Sequence, residues 1–175
     1  KIRAGIQRAS TIIENLLRFA RPAAKAELKE INLAAVIKET LSLVANQAKI
    51  QKIELQSEIP IEPVMITGIE GLLQQAFLNL LLNAINAMPD GGVLNTIMGY
   101  GDREVWVRIA DNGEGISPAD LDKIFDPFYT TATVGKGTGL GLSICYSIIK
   151  EHLAAIEAES APGRGSVFTV RFPVP

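Results

Sequence analysis

The chain has 175 residues, of which 47% are hydrophobic and 21% charged, with a formal net charge of −2. This balance is typical of a globular domain with a full core, and the length suits one domain with a short appendage. The charge gives no reason to expect binding to nucleic acid or to anionic lipid, so an anionic ligand must be held by a local site.

The sequence carries no membrane or secretion signal. No apolar run approaches the ~20 residues that span a bilayer, and no signal peptide is present. The single cysteine, Cys145, lies among apolar residues, which predicts a buried core residue in a reducing cytosol. We expect a cytoplasmic domain. Because Lys1 falls within a predicted helix, we interpret the chain as a fragment of a protein that can carry a membrane anchor upstream.

Residues 1–20 predict a helix that stops before Pro22. Its apolar residues recur in alternating steps of four and three, the spacing of a coiled-coil seam; they are Ile2, Ile6, Ala9, Ile13, Leu16 and Ala20. The helix either packs on its own domain or joins a helical bundle with a partner chain. The hinge-like segment from Pro22 to Lys25 favours the bundle, so we divide the chain into residues 1–22 and residues 23–175.

The remaining residues alternate helices and strands. Helices are predicted at 33–49, 72–88 and 140–152, and strands at 53–57, 64–66, 93–100, 104–110, 156–160 and 166–172. Two strand pairs form hairpins, which turn at Gly101-Asp102 and Pro162-Gly163. The long segment 112–139 is expected to be a functional loop. Together these elements predict an α+β fold, with a sheet that carries helices on one face.

A narrow stripe of amides marks the predicted helix 72–88. Gln75, Asn79, Asn83 and Asn86 are spaced by four, four and three residues, which places them on one side of the helix. An amide oxygen can bind Mg²⁺ without repelling phosphate. The alternative is a polar stripe that faces water or packs on loops.

A carboxylate follows the strand 104–110. Asp111 has the same parity as Val107 and Ile109, so its side chain is expected on the core side, where a carboxylate needs a partner. An exocyclic amine of a purine would serve, with room left by the glycines of Asp-Asn-Gly-Glu-Gly. The alternative is a polar turn that ends a hairpin.

A glycine-rich run precedes the last helix. Residues 135–142 read Gly-Lys-Gly-Thr-Gly-Leu-Gly-Leu. Alternating glycines let backbone N–H groups approach an anion, and a helix start adds a favourable dipole. Lys136 supplies a charge for phosphate. A flexible linker is the alternative, but the immediate start of an apolar helix disfavours it.

These motifs, in this order, resemble the ATP-binding superfamily of gyrase, heat-shock chaperones and histidine kinases, and most closely the sensor histidine kinases of two-component systems. Residues 75–88 resemble the asparagine box, residues 111–115 the first glycine box, residues 125–131 (Phe-Asp-Pro-Phe-Tyr-Thr-Thr) the phenylalanine box and residues 137–143 the second glycine box. The resemblance implies a two-layer α/β sandwich, a mixed sheet under three helices. It also implies that residues 1–21 are the second helix of a dimerisation bundle.

The resemblance implies a role for each matching residue. Asn83 would coordinate Mg²⁺, Asn79 would support metal and phosphates, and Asp111 would accept a hydrogen bond from the adenine amine. Gly113 and Gly115, followed by Ile116, would flank the base. Phe125 and Phe128 would anchor a mobile lid, and the triphosphate would be held by Lys136, Gly137, Thr138, Gly139, Leu140 and Gly141.

Residue 79 separates transfer from hydrolysis in this resemblance, because hydrolytic relatives carry there a glutamate that activates water. A neutral histidine nitrogen needs no proton removed before it attacks, so transfer depends on positioning and charge stabilisation. Asn79 therefore favours a histidine kinase. The implied partners are ATP and ADP, a histidine-bearing dimerisation helix, a response regulator and a second copy in a homodimer.

The sequence departs from the family's pattern at three points. The phosphoacceptor histidine is missing, since the one histidine, His152, is interpreted as a helix-end residue. We predict that this chain alone does not autophosphorylate. Leu153-Ala154-Ala155 replaces two glycines near a turn, and if that turn needs a positive φ, an alanine there would cost roughly 1 kcal/mol. Ala132 stands where the lid often has a basic residue.

Two other functions stay open at this stage. One is a serine protein kinase or ATPase of the same superfamily. The other is a module that binds nucleotide, or docks a partner, without turnover.

Overall fold

A computed structural model of the chain describes residues 27–131 and 138–174. The predicted bundle helix, the division between residues 22 and 23, and the predicted roles of Lys136 and Gly137 fall outside these residues and stay predictions.

The described residues form four helices and seven strands. The helices are α1 (Leu33–Ile50), α2 (Glu70–Asn86), α3 (Pro118–Leu121) and α4 (Gly141–Glu151). The strands are β1 (Lys29–Asn32), β2 (Ile53–Glu58), β3 (Met65–Gly68), β4 (Gly92–Tyr100), β5 (Glu104–Asp111), β6 (Ala155–Ser160) and β7 (Ser166–Pro173).

Five strands form one mixed sheet in the order β2-β4-β5-β7-β6. The pair β2 and β4 is parallel, and the other three pairs are antiparallel. The two predicted hairpins are confirmed, and Gly101 N–H donates to the Glu104 carbonyl in the first turn. A separate antiparallel pair joins β1 to β3.

One face of the sheet is buried under the three longer helices. Along β5, Val105, Val107 and Ile109 are buried, whereas Arg108 between them is exposed. This alternation is the pattern of a sheet covered on one side. Phe77 of α2 packs on Phe172 of β7 with ring centroids 6.3 Å apart. The predicted α+β sandwich, with a mixed sheet and helices on one face, is confirmed.

Cys145 lies on α4 and is fully buried. Burial raises the pKa of its thiol to about 12, because the thiolate would lose its hydration. The prediction of a buried core cysteine is confirmed. No helix in the described part of the chain is long and apolar enough to cross a bilayer.

Two elements escaped the sequence analysis. Strand β1 is short and mixed in composition, and it exists because it pairs with β3. Helix α3 interrupts the predicted loop, with Pro118 at its first position, where proline is favoured. The strand predicted at 64–66 runs from Met65 to Gly68, and α2 begins two residues earlier than predicted.

Candidate active site

The amide stripe of α2 meets the start of α4 at Asn79. Asn79 and Asn83 are half-buried, whereas Asn86 at the end of the stripe is exposed. The Asn79 side-chain nitrogen donates to the Gly141 carbonyl oxygen over 3.1 Å. The apolar residues of α2, among them Leu80 and Ala84, are buried against the core, which fixes the direction of the stripe. The structure thus joins two of the predicted motifs, the asparagine box and the second glycine box.

Asp111 ends β5 on the buried side of the sheet, as its parity predicts, and is 8% exposed. Its Oδ1 accepts from the backbone N–H of Gly113 at 2.9 Å and from that of Ser166 at 3.2 Å. Both bonds end on Oδ1, which leaves the lone pairs of Oδ2 for a further donor. The carboxylate is therefore held rigidly, with one oxygen available to a ligand.

Burial raises the pKa of the Asp111 carboxyl, and the backbone N–H groups of Gly113 and Ser166 oppose that rise. The ionised form is favoured by hydrogen bonds and disfavoured by lost hydration. A ligand N–H at Oδ2 would add a third hydrogen bond to the ionised form. The site is therefore suited to a neutral donor such as an aromatic amine.

Glycines bring the β6–β7 turn against Asp111. Gly165 has φ +75°, and a Cβ there would lie 1.9 Å from the Asp111 carbonyl oxygen. No other residue can occupy this position without a shift of the backbone. The next residue, Ser166, consequently presents its N–H to the carboxylate.

Two serines connect the loops behind Asp111. Ser160 Oγ accepts from Ile116 N–H at 2.7 Å, donates to the Gly165 carbonyl at 2.7 Å, and lies 3.0 Å from Ser166 Oγ. Since its one proton goes to Gly165, Ser166 is the donor of the last bond. Neither serine was predicted from the sequence, although the Gly-Arg-Gly-Ser run at 163–166 indicates a tight turn with a hydroxyl group beside it.

The first glycine box packs against the end of α2. A Cβ at Gly113 would lie 2.3 Å from the Ala87 carbonyl oxygen, and that same oxygen accepts from Glu114 N–H at 3.0 Å. Gly115 has φ +72°. Because Gly113 has no side chain, the backbone of the turn after Asp111 can approach the end of α2 closely.

Helix α4 starts without a capping side chain. Leu140 occupies the N-cap position and no side chain bonds to the first-turn N–H groups. The first intrahelical bond runs from Ile144 N–H to the Leu140 carbonyl, so the N–H groups of Gly141, Leu142 and Ser143 precede it. Uncapped N–H groups and the positive end of the helix dipole together suit an anion.

The backbone of Phe128 is held against Gly139. Phe128 N–H donates to the Gly139 carbonyl at 2.9 Å, and both residues have positive φ, +68° and +65°. A Cβ at Gly139 would lie 2.4 Å from the Phe128 carbonyl carbon. Phe128 is 63% exposed. Thr138, which immediately precedes Gly139, accepts a long hydrogen bond of 3.4 Å at its Oγ1 from Leu140 N–H.

Phe125 packs differently from Phe128. Its ring is half-buried and lies against Tyr146 of α4, with ring centroids 5.3 Å apart. Lys150 Nζ lies 5.4 Å from the centroid of the same tyrosine ring. Nothing in the sequence predicts a role for Tyr146, because it occupies an ordinary surface position of an amphipathic helix.

His152 lies away from these groups, at the other end of α4, and is 5% exposed. Its Nδ1 lies 2.7 Å from the Ile148 carbonyl, and its Nε2 accepts from Ile69 N–H at 2.9 Å. A carbonyl requires a donor and an N–H requires an acceptor, so both nitrogens of a neutral ring are engaged. The prediction of a helix-end residue is confirmed.

Comparison with known proteins identifies the family of this chain. A family model described as histidine kinase-, DNA gyrase B- and HSP90-like ATPase matches residues 68–175, and the chain belongs to this family. Sporulation kinase A of Bacillus subtilis is 36% identical over 168 residues, which are 96% of this chain and 27% of the relative. The chain thus spans about a quarter of that relative's length.

Solved structures show which members of this family the chain resembles in fold. The nucleotide-free catalytic domain of the histidine kinase ThkA is 32% identical, with a TM-score of 0.75 over 84% of this chain and 95% of that chain. A structure of ThkA in complex with the response regulator TrrA is 27% identical, with a TM-score of 0.80 over 99% of this chain and 49% of that chain. The domain is therefore the ATP-binding catalytic domain of a histidine kinase, as the sequence motifs predicted.

Proposed function

We propose that this domain binds ATP with Mg²⁺ and transfers the γ-phosphoryl group to a histidine on a dimerisation helix. The observation that carries the proposal is the bond from Asn79 to the Gly141 carbonyl. It holds the amide stripe, which suits a metal and phosphates, against the uncapped start of α4, which suits an anion.

Asp111 provides base recognition. The adenine exocyclic amine donates to Oδ2, while Oδ1 stays engaged with Gly113 and Ser166. Guanine presents a carbonyl oxygen in place of that amine, and two acceptors facing each other in a buried site are unfavourable. Ile116, half-buried and tied to Ser160, contributes apolar surface beside the base.

The triphosphate is held by the first turn of α4 and the glycines that precede it. Gly139 and Gly141 bring backbone close to the phosphates, and Leu140 anchors the turn in the core with 2% exposure. Lys136 and Gly137 extend the same cradle in the proposal. Phosphoryl transfer depends mainly on such positioning and charge stabilisation.

Mg²⁺ binding fits the residues of the amide stripe. The described residues contain no group of three or more His, Cys, Asp or Glu side chains that could hold a metal ion. Asn83 would supply an amide oxygen, a ligand type that Mg²⁺ accepts. When bound, the ion would offset the negative charge of the substrate phosphates.

Asn79 suits transfer rather than hydrolysis. An amide cannot remove a proton from water, and its nitrogen is already donated to Gly141. A neutral histidine attacks with its nitrogen lone pair, the N–P bond forms, the bond from the γ-phosphorus to the bridging oxygen breaks, and ADP leaves. The catalytic groups in this proposal are Asn79, Asn83 and Lys136.

The whole protein's partners belong to the same proposal. Residues 1–22 form part of a dimerisation bundle, residues 23–175 form the catalytic domain, and two copies associate through the bundle. The phosphoryl group then passes to an aspartate of a response regulator, and the structure of ThkA with TrrA supports this class of partner. A cytosolic location stays a prediction.

The test is transfer in trans. The chain is incubated with ATP, Mg²⁺ and a separately produced bundle that carries the phosphoacceptor histidine. We expect acid-labile phosphate on the bundle, lost in Asn83→Ala, and phosphate release slower than transfer. Faster ATP hydrolysis than transfer would favour an ATPase, acid-stable phosphoserine a serine kinase, and ATP binding without either product a docking module.

A further inference from the structure

The edge strand β2 leaves one side of the main sheet unpaired, since β2 is the first strand of the five and no other described strand joins it there. Gly92 N–H donates to the Lys52 carbonyl, and the parallel register pairs Ile53 with Gly92. In a parallel ladder alternate residues bond to the same neighbour. The backbone groups of every second residue from Lys52 onward therefore bond to β4, namely those of Lys52, Glu54 and Gln56. The residues between and after them direct their N–H and C=O groups away from the sheet; they are Ile53, Leu55 and Ser57.

A groove lies beside this open edge. It has a volume of about 410 Å³ and runs between α1 and β2. Its lining residues are mostly small or apolar and come from both elements: Leu41, Ser42 and Ala45 from α1, and Leu55 and Ser57 from β2, with Lys38 and Ile59 at one end. The end is closed by a bond from Lys38 Nζ to the Pro60 carbonyl at 2.8 Å.

The groove and the unpaired backbone groups of β2 are formed by the same residues of the strand. Ile53 and Leu55, whose backbone groups point outward, have side chains on the α1 side, where Ile53 is buried and Leu55 is half-buried. A strand added along β2 would place every second side chain into the groove, because successive side chains alternate between faces. Those side chains would meet Leu41, Ala45 and Leu55, so they should be apolar.

The opposite face of the same edge is acidic. Glu54, Gln56 and Glu58 are exposed there, and Gln56 Nε2 donates to Glu54 Oε1. Like charges directly opposite each other destabilise a strand pair, whereas opposite charges stabilise it. Edge-to-edge pairing of two copies of this chain would set these glutamates against each other, so a second copy is disfavoured.

From these observations we propose that the β2 edge is a strand-addition site for an extended polypeptide segment of a partner protein, with apolar and basic side chains in alternation. Backbone hydrogen bonds to Ile53, Leu55 and Ser57 supply affinity, the groove selects the apolar residues, and Glu54 and Glu58 select lysine or arginine. This is the general mode of recognition by strand addition. It is independent of the nucleotide site.

The probe is a short peptide of alternating valine and lysine, titrated into isotope-labelled chain and followed by amide NMR shifts. We expect saturable shifts along β2 and α1, weakened by salt. A peptide of alternating valine and glutamate should bind at least about tenfold more weakly. In Glu54→Lys/Glu58→Lys this preference should reverse. Equal binding of the two peptides, or shifts confined to α4, would overturn the proposal.

Two single variants test the geometry. Ser57→Pro removes an outward N–H but no ladder bond, and proline is tolerated in that way at a sheet edge. Ala45→Arg fills the groove from an exposed helix position. Each should reduce affinity for the valine–lysine peptide by about tenfold or more, with an unchanged melting temperature. Asn46→Arg, exposed on the same helix outside the groove, is the matched control. Retained binding in folded Ala45→Arg contradicts the proposal, even where Ser57→Pro fails to fold.

Discussion

The side-chain nitrogen of Asn79 lies 3.1 Å from the Gly141 carbonyl oxygen and donates to it. This bond joins α2 to the start of α4, the two helices that carry the asparagine box and the second glycine box. Because the amide nitrogen is committed to this contact, the orientation of the amide oxygen is fixed as well. Asn79 thus positions the start of α4 relative to Asn83, one turn further along α2.

Asn79→Asp should weaken both the fold and nucleotide binding. Aspartate has no donor for Gly141, and its charge repels the carbonyl and the phosphates. We expect a loss of roughly 1–3 kcal/mol in the free energy of unfolding and at least about a tenfold loss in ATP affinity. Urea denaturation and calorimetry measure the two effects. Asn46→Asp, exposed on α1, should change neither, and wild-type ATP affinity in Asn79→Asp would count against this role.

Asp111→Asn should leave the ligand-free domain as stable as the wild type or more stable at neutral pH. Burial raises the pKa of Asp111 in the folded state above the value near 3.8 that it has in the unfolded state. The carboxyl group therefore contributes to stability when the pH is below that unfolded pKa, and this contribution is lost as the pH rises through the folded pKa. Asparagine keeps an oxygen for Gly113 and Ser166 but carries no buried charge.

The stability difference between Asp111→Asn and the wild type should therefore shrink as pH falls through the folded pKa of Asp111. Chemical denaturation at several pH values measures it. Asp122→Asn, at an exposed position, is the control for a generic loss of charge. A stability difference that grows as the pH falls would contradict the raised pKa of Asp111.

Leu153→Gly should stabilise the domain. Leu153 has φ +55° and is 82% exposed, so its side chain gains little from burial while its backbone is strained. Relief of that strain by about 1–2 kcal/mol exceeds the roughly 0.4–1 kcal/mol of added chain entropy in the unfolded state. We expect a net gain of about 0.5 kcal/mol in thermal or urea unfolding, whereas Ala154→Gly, at a buried position without positive φ, should destabilise.

The chain alone should acquire no phosphohistidine when incubated with ATP and Mg²⁺. Its sole histidine, His152, is 5% exposed, and both ring nitrogens are engaged by Ile148 and Ile69. Attack on ATP would require the ring to leave these contacts. Phosphorus NMR or an acid-lability assay on intact protein measures the modification. Acid-labile phosphate that disappears in His152→Gln would refute the prediction.

Patterns of period two and period 3.6 were sufficient to predict the main sheet, its hairpins and the three long helices. The burial of Asp111 followed from its parity with Val107 and Ile109 on β5. The partners of Asp111 did not follow, because Ser166 reaches it through a turn, at Gly163 and Gly165, whose geometry depends on tertiary packing. The sequence raised the possibility of a positive φ at an alanine of segment 153–155. The positive φ falls at Leu153 instead, because local sequence does not determine which residue of the turn adopts it.

Strand β1 was missed for a similar reason. Its four residues have no alternating pattern, and its conformation depends on pairing with β3, which lies more than thirty residues away in the chain. Isolated short segments of this kind are stabilised by the partner strand rather than by propensity. The groove beside β2 likewise became visible only once the order of the strands was known.

The most direct test of the proposed nucleotide site is calorimetric titration of the chain with ATP, with Mg²⁺ and with chelator, beside Asp111→Asn and Asn83→Ala. We predict saturable binding by the wild type, loss of binding in Asp111→Asn with the fold intact, and weaker dependence on Mg²⁺ in Asn83→Ala. Failure of the folded wild-type chain to bind ATP, or wild-type affinity in Asp111→Asn, would contradict the proposed site.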